Sequence, residues 1–220
     1  MGQKIIQAAS QNPQCEIVFG VVKKSKPQDS SFRYYLPTEP LPEVDIIIDF
    51  SAREALPFTL ELAVSSKTPL VLGTTGFSDT EKQTIEDAAK KIPLFFSSNF
   101  SLGIALFTYI AKTIAPLLSD FSCSMTEVHH IHKKDSPSGT ALTLQEALSQ
   151  EIPIESIRRG EVIGEHTLSL SSSEERLTIC HESLSRDLFA KGALQAAFFL
   201  ISKPEKGLYG MQDLLSQRLY

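Results

Sequence analysis

Apolar positions near the start of the chain come in short, closed runs. Glu16 to Val22, Val44 to Phe50, Pro69 to Gly73 and Pro93 to Ser97 are rich in β-branched or aromatic residues and bounded by proline, glycine or charge. That is the profile of strands covered on both faces. Between the later runs the period lengthens. Phe58 to Ser66 and Asp79 to Lys91 read as helices, the second opened by Ser78 and Glu81 in an S-x-x-E capping box. Pro57 leaves the start of the first open. Alternation at this spacing predicts a doubly wound α/β unit with a parallel sheet.

Gly2 to Ala9 reads as a helix already under way at Met1. In a doubly wound fold a central strand and a glycine-rich turn precede such a helix, and neither lies within the 220 residues. For a chain complete as written, the expectation is a sheet with its central position unfilled and a low stability, because unpaired buried strand groups are costly.

After Ser101 the rhythm changes. A longer helix is expected from Gly103 to Leu118, then a strand into Glu127 and His129, a helix after Gly139, and two alternating strands at His166 to Ser171 and Arg176 to Glu182, joined by a turn at Ser171 to Glu175. This is an α+β pattern and predicts a second domain. An apolar helix, Gly192 to Ile201, and a tail to Tyr220 close the chain.

Composition narrows the classes. A net charge of -5 argues against nucleic acid as a partner, since phosphate binding needs a basic face. Cys15, Cys123 and Cys180 are odd in number and scattered, which suits reduced thiols in a cytoplasmic protein better than a disulfide framework. The apolar stretches fall short of the roughly 20 residues of a membrane span, and the N-terminus has no signal-peptide core.

The densest chemistry is Glu127-Val128-His129-His130-Ile131-His132-Lys133-Lys134-Asp135-Ser136-Pro137-Ser138-Gly139-Thr140-Ala141. His129 to Lys134 form a positive island suited to an anionic substrate. Ser138 is a candidate N-cap, and the free N–H groups near Gly139 and Thr140 suit a carboxylate. An imidazole here is a candidate proton donor. A solvated surface cluster and a histidine metal site are the competing readings, although cysteine and carboxylate ligands at metal spacing are absent from the segment.

Three polar loops follow predicted strands: Asp49 with Ser51, Gly73-Thr74-Thr75-Gly76-Phe77, and Ser97-Ser98-Asn99-Phe100-Ser101. Ligands of open α/β sheets bind beyond the carboxyl ends of the strands, so these loops are candidates for a cofactor cleft; tight turns account for each one separately. Lys23-Lys24-Ser25-Lys26 follows a further strand, where a basic residue meets a 2′-phosphate, and a solvated basic loop fits equally.

The segment E-V-H-H-I-H-K-K-D-S-P-S-G-T-A resembles the E-x-H-H-x-x-K-x-D-x-P-S-G-T-A motif of dihydrodipicolinate reductases. G-T-T-G-F and S-S-N-F-S are similar to that family's two cofactor-cleft loops. Gly164-Glu165-His166-Thr167, Ser185-Arg186 and Phe189-Ala190-Lys191-Gly192-Ala193 follow its later motifs in order.

The resemblance implies a Rossmann-like dinucleotide-binding domain over 1–101 and 187–220, and an α+β substrate and oligomerisation domain over 102–186 that builds a homotetramer. It implies NAD(P)H-dependent reduction of 4-hydroxy-tetrahydrodipicolinate, or of the dihydrodipicolinate formed from it, to tetrahydrodipicolinate in lysine and diaminopimelate biosynthesis. His129 and Lys133 would be the proton donors, and His130, Ser138, Gly139 and Thr140 would hold substrate. Gly73, Thr74, Thr75 and Ser97, Ser98, Asn99, Phe100 would line the cofactor, with no metal. Lys24 stands where the family often has Glu, which favours NADPH over NADH. The family's G-x-x-G-x-x-G turn would fall before Met1, leaving only Gly2, and the stretch between Gln150 and Gly160 is shorter than usual. The alternative is a non-catalytic, dicarboxylate-binding or oligomerising remnant without dinucleotide.

Overall fold

The computed structural model describes residues 1–26, 33–203 and 205–219. The helices are α1 (Gly2–Ser10), α2 (Leu56–Ser66), α3 (Asp79–Ala89), α4 (Leu102–Ile114), α5 (Gly139–Leu148), α6 (Asp187–Ile201) and α7 (Met211–Leu219). The strands are β1 (Phe19–Val21), β2 (Arg33–Tyr35), β3 (Ile47–Asp49), β4 (Leu70–Leu72), β5 (Pro93–Phe96), β6 (Ser122–His129), β7 (Ile154–Arg158), β8 (Glu165–Ser171), β9 (Arg176–Glu182) and β10 (Gly207–Tyr209). Two compact units emerge: Met1–Ser97 with Ala190–Gly210, and Ser98–Phe189 with Met211–Tyr220. The chain therefore crosses from one unit to the other three times. Among the described residues no helix is long and apolar enough to cross a membrane.

The first unit holds a parallel sheet in the order β10-β5-β4-β3. Its middle is dry: Leu70, Val71 and Leu72 of β4 are all fully buried, which explains an apolar run with no alternation. Leu70, Leu72 and Leu94 join Leu56, Ile85 and Ala88 in one core cluster. Phe95 points to the opposite face, where its ring meets Phe199 of α6 edge-on at 6.0 Å. Helices thus cover both faces, as the sequence pattern predicts.

The register aligns Asp49 with Leu72 and Leu72 with Phe96, so three strands end at one edge. Caps fix the helices between them. Pro57 lies at the amino end of α2, where its missing N–H leaves no helical bond unmade, and Lys67 ends the helix in the left-handed conformation at φ 55. The Ser78–Glu81 capping box of α3 forms in both directions, and Arg53 donates to Glu81 at 2.8 Å.

The strands are shorter than the apolar runs: β1 and β3 keep only three residues each. The run expected to join the main sheet at Glu16 to Val22 instead gives β1, paired in parallel with β2 in a separate two-stranded sheet. Among the described residues β3 has no hydrogen-bonded strand on its other side.

The second unit is a mixed sheet, β7-β6-β8-β9, with β7 parallel to β6 and the other pairs antiparallel. Alternation along β8 turns His166, Leu168 and Leu170 inward. The two leucines join Ile104 and Phe107 of α4 and Ala141 and Leu144 of α5 in the core. The helix expected to reach Leu118 is α-helical only to Ile114 and continues as a 3₁₀ turn over Ala115–Leu118, since Pro116 has no N–H to extend the α-helical ladder. The tail expected to complete the first unit divides: β10 groups with the first unit, whereas α7 groups with the second. The α7 residue Gln212 donates to the Ala105 carbonyl of α4 at 3.1 Å.

Candidate active site

Residues two apart on a strand share a face, so Met125, Glu127 and His129 of β6 point the same way. Met125 sits in the apolar core. Beyond it the same face turns polar without becoming exposed: Glu127 is fully buried and His129 is 7% exposed. Strand register supplies the partners. His166 of β8 lies opposite Glu127, and Arg158 of β7 lies opposite His129.

Glu127 is the hub. One carboxylate oxygen bonds His129 Nδ1. The other accepts from Arg158 Nη2 at 2.8 Å and from the Ser138 N–H at 3.3 Å. Arg158 Nη2 also donates to the Asp135 carbonyl at 2.6 Å. Ser138 Oγ accepts from the Ala141 N–H at 3.2 Å, capping α5, and lies 3.2 Å from His166 Nε2. The rings of His129 and His166 meet edge-on, 5.2 Å between centroids.

A buried carboxylate costs several kcal/mol unless paired and hydrogen-bonded. Burial pushes the Glu127 carboxyl up, but the bonds from Arg158 and His129 outweigh it and the net shift is downward. For His129 burial dominates and pushes the imidazole below its ordinary value, with Glu127 partly opposing. His166 is driven further, to about 4, by burial and then by the charge of His129. At neutral pH the centre therefore holds one ion pair and two neutral imidazoles.

The other residues singled out in the sequence fall around this centre or apart from it. Lys133 pairs with Asp135 at 2.9 Å, and its charge contributes to lowering the His129 pKa. His130 is half-buried, its ring 6.3 Å from that of His132, while His132 and Lys134 are exposed. Ser138 is buried as the cap, Gly139 is exposed, and Thr140 Oγ1 accepts from Asn99 Nδ2 at 3.0 Å. Ser98, Asn99 and Phe100 group with the second unit; Phe100 is buried, and Asn99 Oδ1 accepts from the Ser101 N–H at 2.8 Å.

In the first unit, Gly73 N donates to Asp49 O at 2.8 Å and Ser97 N to Leu72 O at 3.3 Å, so the loops after β3, β4 and β5 leave from one edge. A Cβ on Gly73 would lie 2.3 Å from the Phe50 ring. Thr75 is exposed. Thr74 Oγ1 is buried with no hydrogen-bond partner among the described residues. An orphaned hydroxyl at this edge fits a group that arrives with the cofactor. Lys24 is exposed.

Sequence reasoning assigned no role to Glu127, Arg158 or His166. The E-x-H spacing on a strand was a readable sign of the first; the other two depend on register between distant strands.

No side chain in this centre can store a hydride, whereas imidazole can carry the proton that completes a reduction. The parallel α/β unit, with its loops at one edge, is of the kind that carries the hydride source. Fold and site together define a nicotinamide-dinucleotide-dependent oxidoreductase. The family models agree: "Dihydrodipicolinate reductase, N-terminus" matches residues 1–100 and "Dihydrodipicolinate reductase, C-terminus" matches residues 103–215. The chain belongs to the dihydrodipicolinate reductase family.

A 4-hydroxy-tetrahydrodipicolinate reductase of Caldanaerobacter subterraneus subsp. tengcongensis is 38% identical, covering 99% of this chain and 94% of its own length. One of Bdellovibrio bacteriovorus is 41% identical, covering 98% and 91%. Among solved structures, a dipicolinate-bound dihydrodipicolinate reductase from Paenisporosarcina sp. TG-14 shares the fold with a TM-score of 0.77 at 22% identity, over 96% of this chain and 94% of that one.

Proposed function

We propose that this chain reduces 4-hydroxy-tetrahydrodipicolinate, or the dihydrodipicolinate that its dehydration forms, to tetrahydrodipicolinate in lysine and diaminopimelate biosynthesis. The observation that carries the reading is the span of one carboxylate: Glu127 bonds both the His129 ring and the Ser138 N–H at the start of α5. A proton carrier and a helix N-terminus suited to a substrate carboxylate are thereby held in one frame.

The nicotinamide, when bound, supplies the hydride. His129 delivers the proton, and Lys133 serves as a second donor from its ion pair with Asp135. His130, Ser138, Gly139 and Thr140 hold the substrate carboxylate, Ser138 through the cap geometry and the two residues after it through the opening turn of α5. Gly73, Thr74, Thr75 and Ser97, with Ser98, Asn99 and Phe100, are the cofactor residues, and Thr74 brings the hydroxyl without a partner. Lys24 favours the 2′-phosphate of NADPH. The same reading makes the assembly a homotetramer and the compartment the cytoplasm, where the free thiols of Cys15, Cys123 and Cys180 stay reduced.

The test is a steady-state assay with the chemically generated substrate, following oxidation of NADPH and NADH. Turnover that requires the dicarboxylate supports the reading; binding of the dicarboxylate with no cofactor oxidation overturns it.

A further inference from the structure

His129 has two ring nitrogens and only one can be presented to a substrate. Its Nδ1 is taken by Glu127. Its Nε2 faces the backbone of Gly164, where an added Cβ would sit at 3.1 Å, so a larger residue there would crowd that nitrogen. An ionised carboxylate only accepts hydrogen bonds. Glu127 therefore requires the hydrogen of neutral His129 to sit on Nδ1, and leaves Nε2 with the lone pair.

The carboxylate is itself immobilised. Arg158 and the Ser138 N–H hold its second oxygen, and Arg158 is anchored in turn on the Asp135 carbonyl. Packing alone does not call for this arrangement, since apolar residues of similar volume fill a core end at least as well as a buried ion pair.

We propose that Glu127 is a positioning residue that fixes His129 as its Nδ1–H tautomer, with Arg158 holding the carboxylate, so that Nε2 is the atom that takes up a proton from solvent and, in the imidazolium so formed, hands it to substrate. This deepens the reading of His129 as proton donor and rests on it for its kinetic consequences. The tautomer itself does not depend on that reading. The charged and titratable groups acting on His129 are Glu127, Lys133 and Arg158, with His166 against its ring.

Nitrogen-15 histidine NMR on the full chain, with His129 assigned by the signal lost in His129→Gln, reads the tautomer directly. The expected result is protonated Nδ1 and unprotonated Nε2 above the imidazole pKa; the opposite tautomer overturns the proposal, whether or not Glu127→Gln folds. Kinetics supply the second readout. Glu127→Gln is expected to lower kcat about a hundredfold, within the range of acid–base catalysis, with KM almost unchanged and the pH limb of His129 moved to lower pH. In a His129→Gln background the same change should cost less than about twofold, because the two residues act as a unit. An equal loss in both backgrounds means that Glu127 serves the fold and overturns the proposal. Wild-type turnover in His129→Gln alone sinks the catalytic reading instead, and leaves the tautomer to be judged from its spectrum.

Discussion

His166 is neutral at physiological pH, and this sets how the fold responds to acid. Its pKa is held near 4 against an ordinary 6.5, so between those values the unfolded chain takes up a proton that the folded chain refuses. Stability therefore rises with pH through this window and falls as pH drops from about 6.5 to about 4, with no further loss from this group below that. His129 and His181, both lowered by burial, act in the same direction. Denaturant titrations at stepped pH should show the slope, and His166→Gln should flatten it; an unchanged slope would remove His166 as the cause. For the chemistry, His129→Gln is expected to lose about a hundredfold or more in kcat with little change in KM, while Lys133→Ala should raise KM as well. The reverse pattern would exchange their roles. At this scale the sequence was half legible. His129 and Lys133 stand inside one continuous motif, but Arg158 and His166 reach the centre only through β7 and β8, and nothing local marks them as partners of Glu127.

Among the elements, the edge where β3, β4 and β5 end is sensitive to a single methyl group. Gly73→Ala would place a Cβ against the Phe50 ring. The ring must move, at a cost of about 1–3 kcal/mol typical of overpacking, and NADPH affinity by calorimetry should fall with the melting temperature. Unchanged melting and affinity would show that the ring yields freely. At the start of α5, Ser138→Ala removes a helix cap, worth about 1 kcal/mol, and takes the neighbour of His166 Nε2 with it. Chemical denaturation should therefore show a loss above that of a cap alone. The buried β4 and the capping box of α3 were readable because their signals are local. The three-residue strands β2 and β10 and the mixed sequence of β7 were not, since neighbouring strands rather than their own composition make them extended. The end of α4 was misread for a different reason: its apolar period continues past Pro116, but its hydrogen-bond ladder does not.

On the scale of the whole molecule, the parallel sheet and the histidine centre lie in separate compact units. Lys24→Glu is expected to move the kcat/KM ratio towards NADH, and a ratio that stays put would remove Lys24 from cofactor choice. Light scattering in solution should give four times the chain mass for the proposed tetramer; a monomer or dimer would reject it. The pattern of apolar runs foretold two domains correctly in kind. The grouping of α7 with the second unit has no sign in that pattern, because its contact with α4, where Gln212 meets the Ala105 carbonyl, is a matter of surface fit.

The three crossings between the units also order the events of synthesis. A chain leaving the ribosome can complete β6 to β9 while the first sheet still lacks β10, whose residues 207–209 emerge after them. Until then β5 carries an open edge, and the second unit waits for α7 behind it. Loss of β10 together with α7 would therefore injure both units at once, and no single cut in the gene separates them into two folding halves.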